Sequence, residues 1–229
     1  MDRTRRAEQA IAESQVIAGY SRYLELIADL TKGKKIVSSG MRQESERCRK
    51  ALELARSGET VALISSGDSG IYGMAGLALE LNAAENFSGP IEIVPGMTAA
   101  GAAAARMGAP LMLDYAVISL SDLLVPWETI RKRLEAVAAA DLVTVLYNPR
   151  SKKRVKQLEE AVAIFARHRP GTTPVGIGTA VGTEEEQIVL TDLAQVLEKE
   201  IGMRSLVIIG NRSSRKALDW FITPRGYKV

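Results

Sequence analysis

Two apolar segments of the chain are each followed by a glycine turn and then by a helix of small residues. The first is Val61–Ile64, followed by Ser-Ser-Gly-Asp-Ser-Gly at 65–70; the second is 91–94, followed by Pro-Gly-Met-Thr-Ala-Ala at 95–100. In open parallel sheets, ligands bind outside the carboxyl ends of the strands, where glycines let the backbone come close. N–H groups and a hydroxyl at the start of a helix suit a polar or carboxylate group. The two turns therefore predict one cofactor cleft in an α/β enzyme.

The same glycine turns could serve only as tight connections between a strand and a helix, since glycine adopts positive φ freely. Neither turn matches Gly-x-Gly-x-x-Gly, and no acidic residue follows at the distance used to read a ribose. A dinucleotide oxidoreductase is therefore a distant alternative. His168 is the only histidine and Cys48 the only cysteine. They leave too few side chains for a zinc site or for Ser-His or Cys-His catalysis, and we predict no metal site.

Two segments in the second half of the chain end predicted strands with residues that could bind a ligand. Tyr-Asn-Pro-Arg at 147–150 closes a buried strand, and a glycine-bearing loop at 176–183 follows another. An Asn-Pro pair is also an ordinary chain break. The lysines and arginines between 152 and 156 are typical of a solvated helix face, although beside a cleft they would attract a polyanion. Both interpretations stay open at this point.

Strands and helices alternate along the first half of the chain, which predicts parallel pairing with right-handed crossovers. Gly-Ala-Pro at 108–110 interrupts the alternation, and we predict a domain boundary there, with domains 1–112 and 113–229. Predicted helices include 5–14, 20–30, 42–57, 127–140, 152–168 and a helix ending at 197 that Thr191 and Asp192 cap. Predicted strands include 16–19, 35–38, 61–64, 91–94, 115–120, 142–146, 175–177, 187–190 and 205–209.

Composition indicates an ordinary globular protein with a substantial core, since 46% of its 229 residues are apolar and 25% are charged. The net charge is +3, and only three Phe and two Trp are available for stacking, so we predict no nucleic-acid partner. The small positive excess suits an acidic small molecule but is more typical of a solvated surface. Without a signal-peptide pattern or an apolar segment of membrane-spanning length, we expect a cytoplasmic protein with no membrane contact.

Eight stretches of the chain resemble the tetrapyrrole methylase family, and within it the precorrin-3B/cobalt-factor III C17-methyltransferases. They are GYSRY (19–23), SGMRQE (39–44), SSGDSGIYGM (65–74), VPGMTAA (94–100), ISLSDLLVPW (118–127), LYNPRS (146–151), IGN (209–211) and TPRGY (223–227). The Gly-Asp and Pro-Gly-x-Thr-Ala elements are typical of the wider family. Ser-Leu-Ser-Asp-Leu-Leu and Tyr-Asn-Pro-Arg-Ser resemble the C17 branch. The resemblance extends over essentially the whole chain from Arg5 onward.

The resemblance implies two α/β domains, with a largely parallel N-terminal sheet and a mixed C-terminal sheet. It also implies S-adenosylmethionine as cofactor, bound in the cleft between the domains, S-adenosylhomocysteine as product, and a homodimer. Cofactor contacts are expected from both glycine turns and from the second domain. Carried over residue by residue, they are Ser66, Gly67, Asp68, Ile71, Tyr72, Thr98, Ala99, Asn148, Gly182 and Thr183.

The reaction implied by the resemblance is methyl transfer to C17 of a tetrapyrrole, coupled to contraction of the macrocycle. Transfer from a sulfonium needs alignment more than an acid or a base, which fits a chain with one histidine. Ring contraction needs proton transfers, for which the candidates are Asp68, Asp122 and Tyr147. The substrate is a polycarboxylate, so arginines and lysines at the mouth of the cleft would pair with it. Candidate substrate-binding residues are Arg42, Arg106, Arg150 and Lys153.

The chain departs from the family pattern at its start. Family members begin with a strand and a Gly-x-Gly-Pro-Gly turn, whereas the first residues here already correspond to the following helix. We therefore expect the first strand of the N-terminal domain to be missing. Two alternatives stay open. One is a precorrin methyltransferase of the same fold that acts at another ring position, and the other is a non-catalytic subunit that binds or scaffolds a corrinoid.

Overall fold

The computed structural model describes residues 2–228, which divide by their contacts into two compact units. The N-terminal unit is Asp2–Thr98, and the C-terminal unit is 99–228. The predicted domain boundary, at 112/113, lies further along the chain, because the helix Ala99–Met107 packs on strands of the C-terminal unit. The predicted domain limits stay a prediction, since a division by contacts does not test which segments fold on their own.

The N-terminal unit contains a parallel sheet. Its elements are α1 (Arg5–Glu13), β1 (Val16–Tyr20), α2 (Ser21–Glu25), a 3₁₀ turn (Ala28–Leu30), β2 (Lys35–Ser39), α3 (Glu44–Arg56), β3 (Val61–Ile64) and α4 (Ala75–Ala84). The strand order is β2-β1-β3. The central strand is apolar and buried because neighbouring elements cover it: Ile11 and Leu24 belong to the same core cluster as Ile17. The predicted parallel N-terminal sheet is confirmed.

The C-terminal unit contains a mixed sheet and a small second sheet. Its elements are α5 (Ala99–Met107), β4 (Gly108–Ala109), β5 (Tyr115–Ser119), α6 (Trp127–Ala139), β6 (Val143–Tyr147), α7 (Lys156–Ala166), β7 (Pro174–Thr179), β8 (Gln187–Asp192), a 3₁₀ turn (Val196–Glu198), β9 (Ser205–Ile209), β10 (Arg215–Ala217) and β11 (Trp220–Ile222). The mixed sheet has the order β5-β6-β9-β7-β8, and the small one β10-β11-β4. The strands β5 and β6 are parallel, and the other neighbours in the mixed sheet are antiparallel.

Helices cover both faces of the mixed sheet. Alternate residues of β6 belong to two separate core clusters, as expected for a strand whose side chains point to opposite faces. Val145 packs in a cluster with Met107 of α5, whereas Leu146 packs in a cluster with Leu134 of α6 and Phe165 of α7. The predicted mixed C-terminal sheet is confirmed, and α5 is fixed against one of its faces.

The strand predicted at 91–94 is wrong. These residues pair with no other strand among the described residues. The carbonyl of Val94 instead accepts a hydrogen bond from Ser69 Oγ at 3.0 Å. An alternating Ile-Glu-Ile pattern favours a strand, but a strand forms only where a second backbone supplies its hydrogen bonds.

The helix predicted to end at 197 is also wrong. The strand β8 continues through Asp192, and only the 3₁₀ turn Val196–Glu198 follows it. The N–H of Leu193 donates to the carbonyl of Thr173, just before β7. This donor is therefore used by the edge of the sheet, and the polar pair that resembles a helix cap lies at the end of a strand.

Three smaller differences concern the lengths and the number of elements. The helix predicted at 20–30 is divided into α2 and the 3₁₀ turn Ala28–Leu30. The basic helix begins only at Lys156, because Ser151 Oγ accepts from the N–H of Arg154 at 3.1 Å and forms a turn first. The small sheet of β4, β10 and β11 was not predicted, since its two- and three-residue strands carry no pattern long enough to recognise.

A buried arginine ties the start of β6 to the end of β9. The side chain of Arg169 is 0% exposed, and its Nε lies 3.4 Å from the carboxylate of Asp141. Its Nη2 donates to the carbonyl of Leu142 at 2.7 Å, and its Nη1 donates to the carbonyl of Gly210. The guanidinium also lies over the ring of Phe165, 4.7 Å from its centroid. Burial lowers the pKa of Arg169 to about 10, an effect that Asp141 opposes, so the group is charged at neutral pH.

No helix within residues 2–228 is long and apolar enough to cross a membrane. The same residues contain no group of three or more His, Cys, Asp or Glu side chains placed to hold a metal ion. Cys48 is buried on α3, and burial raises the pKa of its thiol, which therefore stays protonated at neutral pH.

We predict that Arg169→Met lowers the free energy of unfolding by about 3 kcal/mol, because it leaves the carbonyls of Leu142 and Gly210 without this donor. Thermal or urea unfolding of the purified variant measures this. Arg167→Met is the matched control, since the side chain of Arg167 is 60% exposed and pairs with Glu135 at the surface. It should change stability by no more than about 0.5 kcal/mol. Equal losses of unfolding free energy in the two variants would contradict the stabilising role of Arg169.

Candidate functional site

One carboxylate joins the two glycine turns of the N-terminal unit. Asp68 Oδ1 accepts a hydrogen bond from the N–H of Gly70 at 2.8 Å, within the first turn. Its Oδ2 accepts from the N–H of Gly96 at 2.9 Å, in the second turn. Charge-assisted hydrogen bonds of this kind are among the stronger ones in proteins. Asp68 therefore fixes the position of the second turn relative to the first.

The second turn approaches the first so closely that only glycine fits. A Cβ at Gly96 would lie 2.0 Å from the carbonyl oxygen of Gly67, which is backbone and has no rotamer to change. Gly67 itself has φ +73°, in the left-handed region that glycine adopts without strain. A side chain at position 96 would push the two turns apart.

Three hydroxyl groups add hydrogen bonds around the same turns. Ser69 Oγ donates to the carbonyl of Val94 at 3.0 Å, and Thr4 Oγ1 donates to the carbonyl of Pro95 at 3.0 Å. Ser65 Oγ accepts from the N–H of Met74, just before α4, at 3.0 Å. The turns are thus fixed by side-chain bonds to the backbone, which serine and threonine readily form in loops. The sequence pattern did not single out these hydroxyls.

Most of the cofactor residues predicted in the N-terminal unit are accessible. Ser66 and Gly67 are exposed, Ile71 is 41% and Tyr72 55% exposed, and Thr98 is half-buried. Tyr72 has φ +55° although it is not glycine. Backbone strain of this kind costs about 1–3 kcal/mol and concentrates at functional sites. The first turn therefore offers exposed side chains and backbone to a ligand, on a support that Asp68 holds rigid.

In the C-terminal unit, the end of β6 is bonded to two other elements. The hydroxyl of Tyr147 accepts a hydrogen bond from the N–H of Ala100 at 3.0 Å, at the start of α5. Asn148 has φ +50°, and its Nδ2 donates to Ser119 Oγ at 3.0 Å, at the end of β5. Arg154 Nη2 donates to the carbonyl of Asn148 at 2.8 Å. The left-handed conformation of this predicted cofactor residue is therefore held through both its side chain and its backbone.

The glycine-bearing loop after β7 is also braced from within. Ala180 has φ +50° and Gly182 has φ +82°. The hydroxyl of Thr183 donates to the carbonyl of Ala180 at 2.8 Å, and the N–H of Gly182 donates to Glu186 Oε2 at 2.7 Å. The predicted cofactor residues Gly182 and Thr183 thus lie in one tight loop, next to a carboxylate that holds it.

The four predicted substrate-binding cations differ in their surroundings. Arg42 and Lys153 are exposed, and Arg150 is half-buried. Arg106 lies on α5 and pairs with Glu186, its Nε 2.6 Å from Oε2. The structure thus brings Arg106 to the loop that contains Gly182 and Thr183.

The three candidates for proton transfer all make hydrogen bonds. Both carboxylate oxygens of Asp68 accept from backbone N–H groups, and the hydroxyl of Tyr147 accepts from the N–H of Ala100. Asp122 is exposed, and its Oδ2 accepts from Gln157 Nε2 at 2.8 Å. These bonds give Asp68 and Tyr147 a positioning role in the structure, and a catalytic role for any of the three stays a prediction.

Two residues that hold predicted site loops were not predicted from the sequence. Ser119 lies within the Ser-Leu-Ser-Asp-Leu-Leu stretch that carries the resemblance, and its position at a strand end is the signal that could have found it. Glu186 ends a run of three glutamates that is typical of a solvated helix start. Its role depends on the proximity of Arg106, which is distant in the sequence.

A family model and two curated relatives all relate this chain to methyltransferases that act on tetrapyrroles. The model of the family Tetrapyrrole (Corrin/Porphyrin) Methylases matches residues 2–197. A probable cobalt-factor III C(17)-methyltransferase of Salmonella typhimurium is 45% identical over 226 residues, which cover 99% of this chain and 94% of that protein. The cobalt-factor III methyltransferase of Priestia megaterium is 44% identical over 229 residues. That match covers 98% of this chain but 42% of the relative, so the chain spans less than half of that protein's length.

Solved structures show the same fold. The methyltransferase CobJ matches with a TM-score of 0.91 and 36% identity, covering 96% of this chain and 93% of that one. Uroporphyrin-III C-methyl transferase from Thermus thermophilus, solved in complex with S-adenyl homocysteine, matches with a TM-score of 0.68 over 90% of each chain. At 22% identity, this second likeness shows the fold alone. Because the family model covers most of the residues and close relatives cover nearly all of them, this chain belongs to the tetrapyrrole (corrin/porphyrin) methylases.

Proposed function

We propose that this chain is a C-methyltransferase of cobalamin biosynthesis that transfers a methyl group from S-adenosylmethionine to C17 of precorrin-3B or cobalt-factor III, with contraction of the ring. The observation that carries the proposal is the pair of glycine turns joined by Asp68, in a chain that belongs to the tetrapyrrole methylases. Relatives named as C17-methyltransferases at 40–45% identity support the ring position.

The residues of the two turns fit a cofactor of this kind. Gly96 lets the second turn contact the backbone of Gly67, and the neighbouring Ser66 is exposed. Exposed backbone and hydroxyl groups there suit the polar parts of S-adenosylmethionine, which supplies an electrophilic methyl group on its sulfonium when bound. The proposed contacts are Ser66, Gly67, Asp68, Ile71, Tyr72, Thr98, Ala99, Asn148, Gly182 and Thr183.

The contribution of the chain to methyl transfer is the alignment of donor and acceptor. A rigid site that holds donor and acceptor in reacting geometry can supply roughly 7–11 kcal/mol of the barrier. The hydrogen bonds of Asp68 and of the residues around Asn148 provide that rigidity, since they fix backbone segments. No acid–base dyad is required for this step.

The tetrapyrrole is the small-molecule partner in this proposal, and its carboxylates would pair with cations. Arg42, Arg150 and Lys153 are proposed to bind them by charge-assisted hydrogen bonds. A homodimer, which the family resemblance alone supports, and a cytoplasmic location both stay proposals.

The first test is calorimetric titration of the purified chain with S-adenosylhomocysteine. We expect a dissociation constant near 1 μM, about −8 kcal/mol. Incubation with cobalt-factor III and methyl-labelled S-adenosylmethionine should then place one labelled methyl group at C17, which NMR of the product locates. A label at another ring carbon would favour the alternative methyltransferase. Binding of the corrinoid without transfer would favour a non-catalytic subunit.

We predict that Asp68→Ala weakens binding of S-adenosylhomocysteine by about 30-fold or more, because the carboxylate loses its bond to Gly70 within the first turn and its bond to Gly96 in the second. Asp68→Asn should lose less, since its amide oxygen still accepts one of the two bonds. Titration calorimetry measures both, and thermal unfolding shows that the variants are folded. Asp114→Ala, which removes an exposed carboxylate, is the control and should bind like the unmodified chain. If Asp68→Ala binds S-adenosylhomocysteine with unchanged affinity, the proposed role of Asp68 in the cofactor site is wrong.

We predict that Tyr147→Phe weakens cofactor binding about fivefold and leaves the pH dependence of kcat unchanged, because it removes the acceptor for the N–H of Ala100. A role in proton transfer predicts the opposite result: kcat falls by about 100-fold or more and one limb of the pH profile disappears. Steady-state kinetics over pH 5–9 therefore distinguish positioning from catalysis.

A further inference from the structure

An ion pair connects α5 to the loop after β7. Arg106 lies near the end of α5, and its Nε donates to Glu186 Oε2 at 2.6 Å. Its Nη1 donates to the carbonyl of Ala102, one turn earlier in the same helix, at 3.1 Å. The side chains of Arg106 and Glu186 are 29% and 27% exposed, so the pair is partly shielded from water. The guanidinium is therefore aligned along the helix and aimed at the loop.

The same carboxylate oxygen holds the backbone of the loop. The N–H of Gly182 donates to Glu186 Oε2 at 2.7 Å. Gly182 follows Ala180, and both have positive φ, so this short segment has a conformation that an isolated peptide would rarely adopt. One oxygen thus links a helix side chain to the backbone of a strained loop. Movement of Arg106 or loss of the carboxylate would free the N–H of Gly182.

The opposite end of α5 is fixed by a different residue. The hydroxyl of Tyr147 accepts from the N–H of Ala100, next to the predicted cofactor residue Ala99. The helix is therefore tied at its start to the end of β6 and at its end to the loop with Gly182. Both tied segments contain residues that we propose as cofactor contacts. The ion pair helps to set the geometry of the loop, because a salt bridge that also holds a backbone donor restricts both partners.

We propose that Arg106 and Glu186 are a positioning pair that holds the loop of Gly182 and Thr183 in the conformation that binds S-adenosylmethionine. This inference rests on the proposed function. It differs from the sequence-based expectation for Arg106, which is direct binding of a substrate carboxylate. In the positioning role, Arg106 acts through Glu186, and loss of either side chain weakens binding of the cofactor.

Three variants test the pair: Arg106→Gln, Glu186→Gln and the double variant. Each single variant should raise the dissociation constant for S-adenosylhomocysteine about tenfold, measured by titration calorimetry. The double variant should bind S-adenosylhomocysteine about as tightly as each single variant, because the effects of substitutions at two residues in contact do not add. In steady-state assays, Glu186→Gln should raise KM for S-adenosylmethionine and leave KM for the tetrapyrrole unchanged. Arg106→Lys, which keeps the charge, should recover part of the affinity.

Glu184→Gln is the matched control, since Glu184 is an exposed glutamate of the same run and its substitution removes the same charge. It should bind the cofactor like the unmodified chain, and thermal unfolding should show all variants to be folded. If Arg106→Gln raises only KM for the tetrapyrrole while Glu186→Gln changes nothing, Arg106 binds substrate directly and the inference is wrong. If the unmodified chain binds no S-adenosylhomocysteine, the proposed function itself fails, and the inference fails with it.

Discussion

The bonds of Asp68 to two backbone N–H groups are the constraint on which the candidate site depends. Each turn alone is an ordinary connection, and neither could hold a ligand group in a fixed place. The carboxylate joins them at 2.8 and 2.9 Å, and the absence of a Cβ at Gly96 permits the contact with Gly67. The carboxylate of Asp68 is stabilised only while both N–H groups stay in position. The geometry of the two turns therefore depends on this one residue.

The C-terminal unit repeats this principle with other side chains. Tyr147 and Glu186 fix the two ends of the region around α5, and Ser119 holds Asn148 in a left-handed conformation. The bond of Tyr147 joins β6 to the start of α5, and the other two connect a side chain on a regular element to a side chain of a loop. Rigid elements with braced loops are what a methyl transfer governed by alignment requires, since small displacements of donor or acceptor cost much of the rate.

The fold was largely predictable because its strands carry strong local patterns. The runs around β1, β6 and β9 are apolar enough to identify as buried strands, and their alternation with helices indicates the α/β class. The segment 91–94 has an equally good pattern and forms no strand, because pairing is a property of two backbones. The small sheet with β11 was missed in the opposite way. Its strands pair with one another, but they are too short to show a pattern in the sequence.

The sequence by itself determined the family and the positions of the glycine turns, because these depend on motifs of a few residues, and the family resemblance implied the parallel N-terminal and the mixed C-terminal sheet. The tertiary structure decided which side chains support those motifs. Asp68 could be selected from the sequence as a site residue, but its two acceptor bonds could not, since Gly96 is far from it along the chain. The partnership of Arg106 with Glu186 likewise exists only after folding brings α5 beside the loop after β7. Distances between residues remote in sequence are set by packing of the whole unit, and no local pattern encodes them.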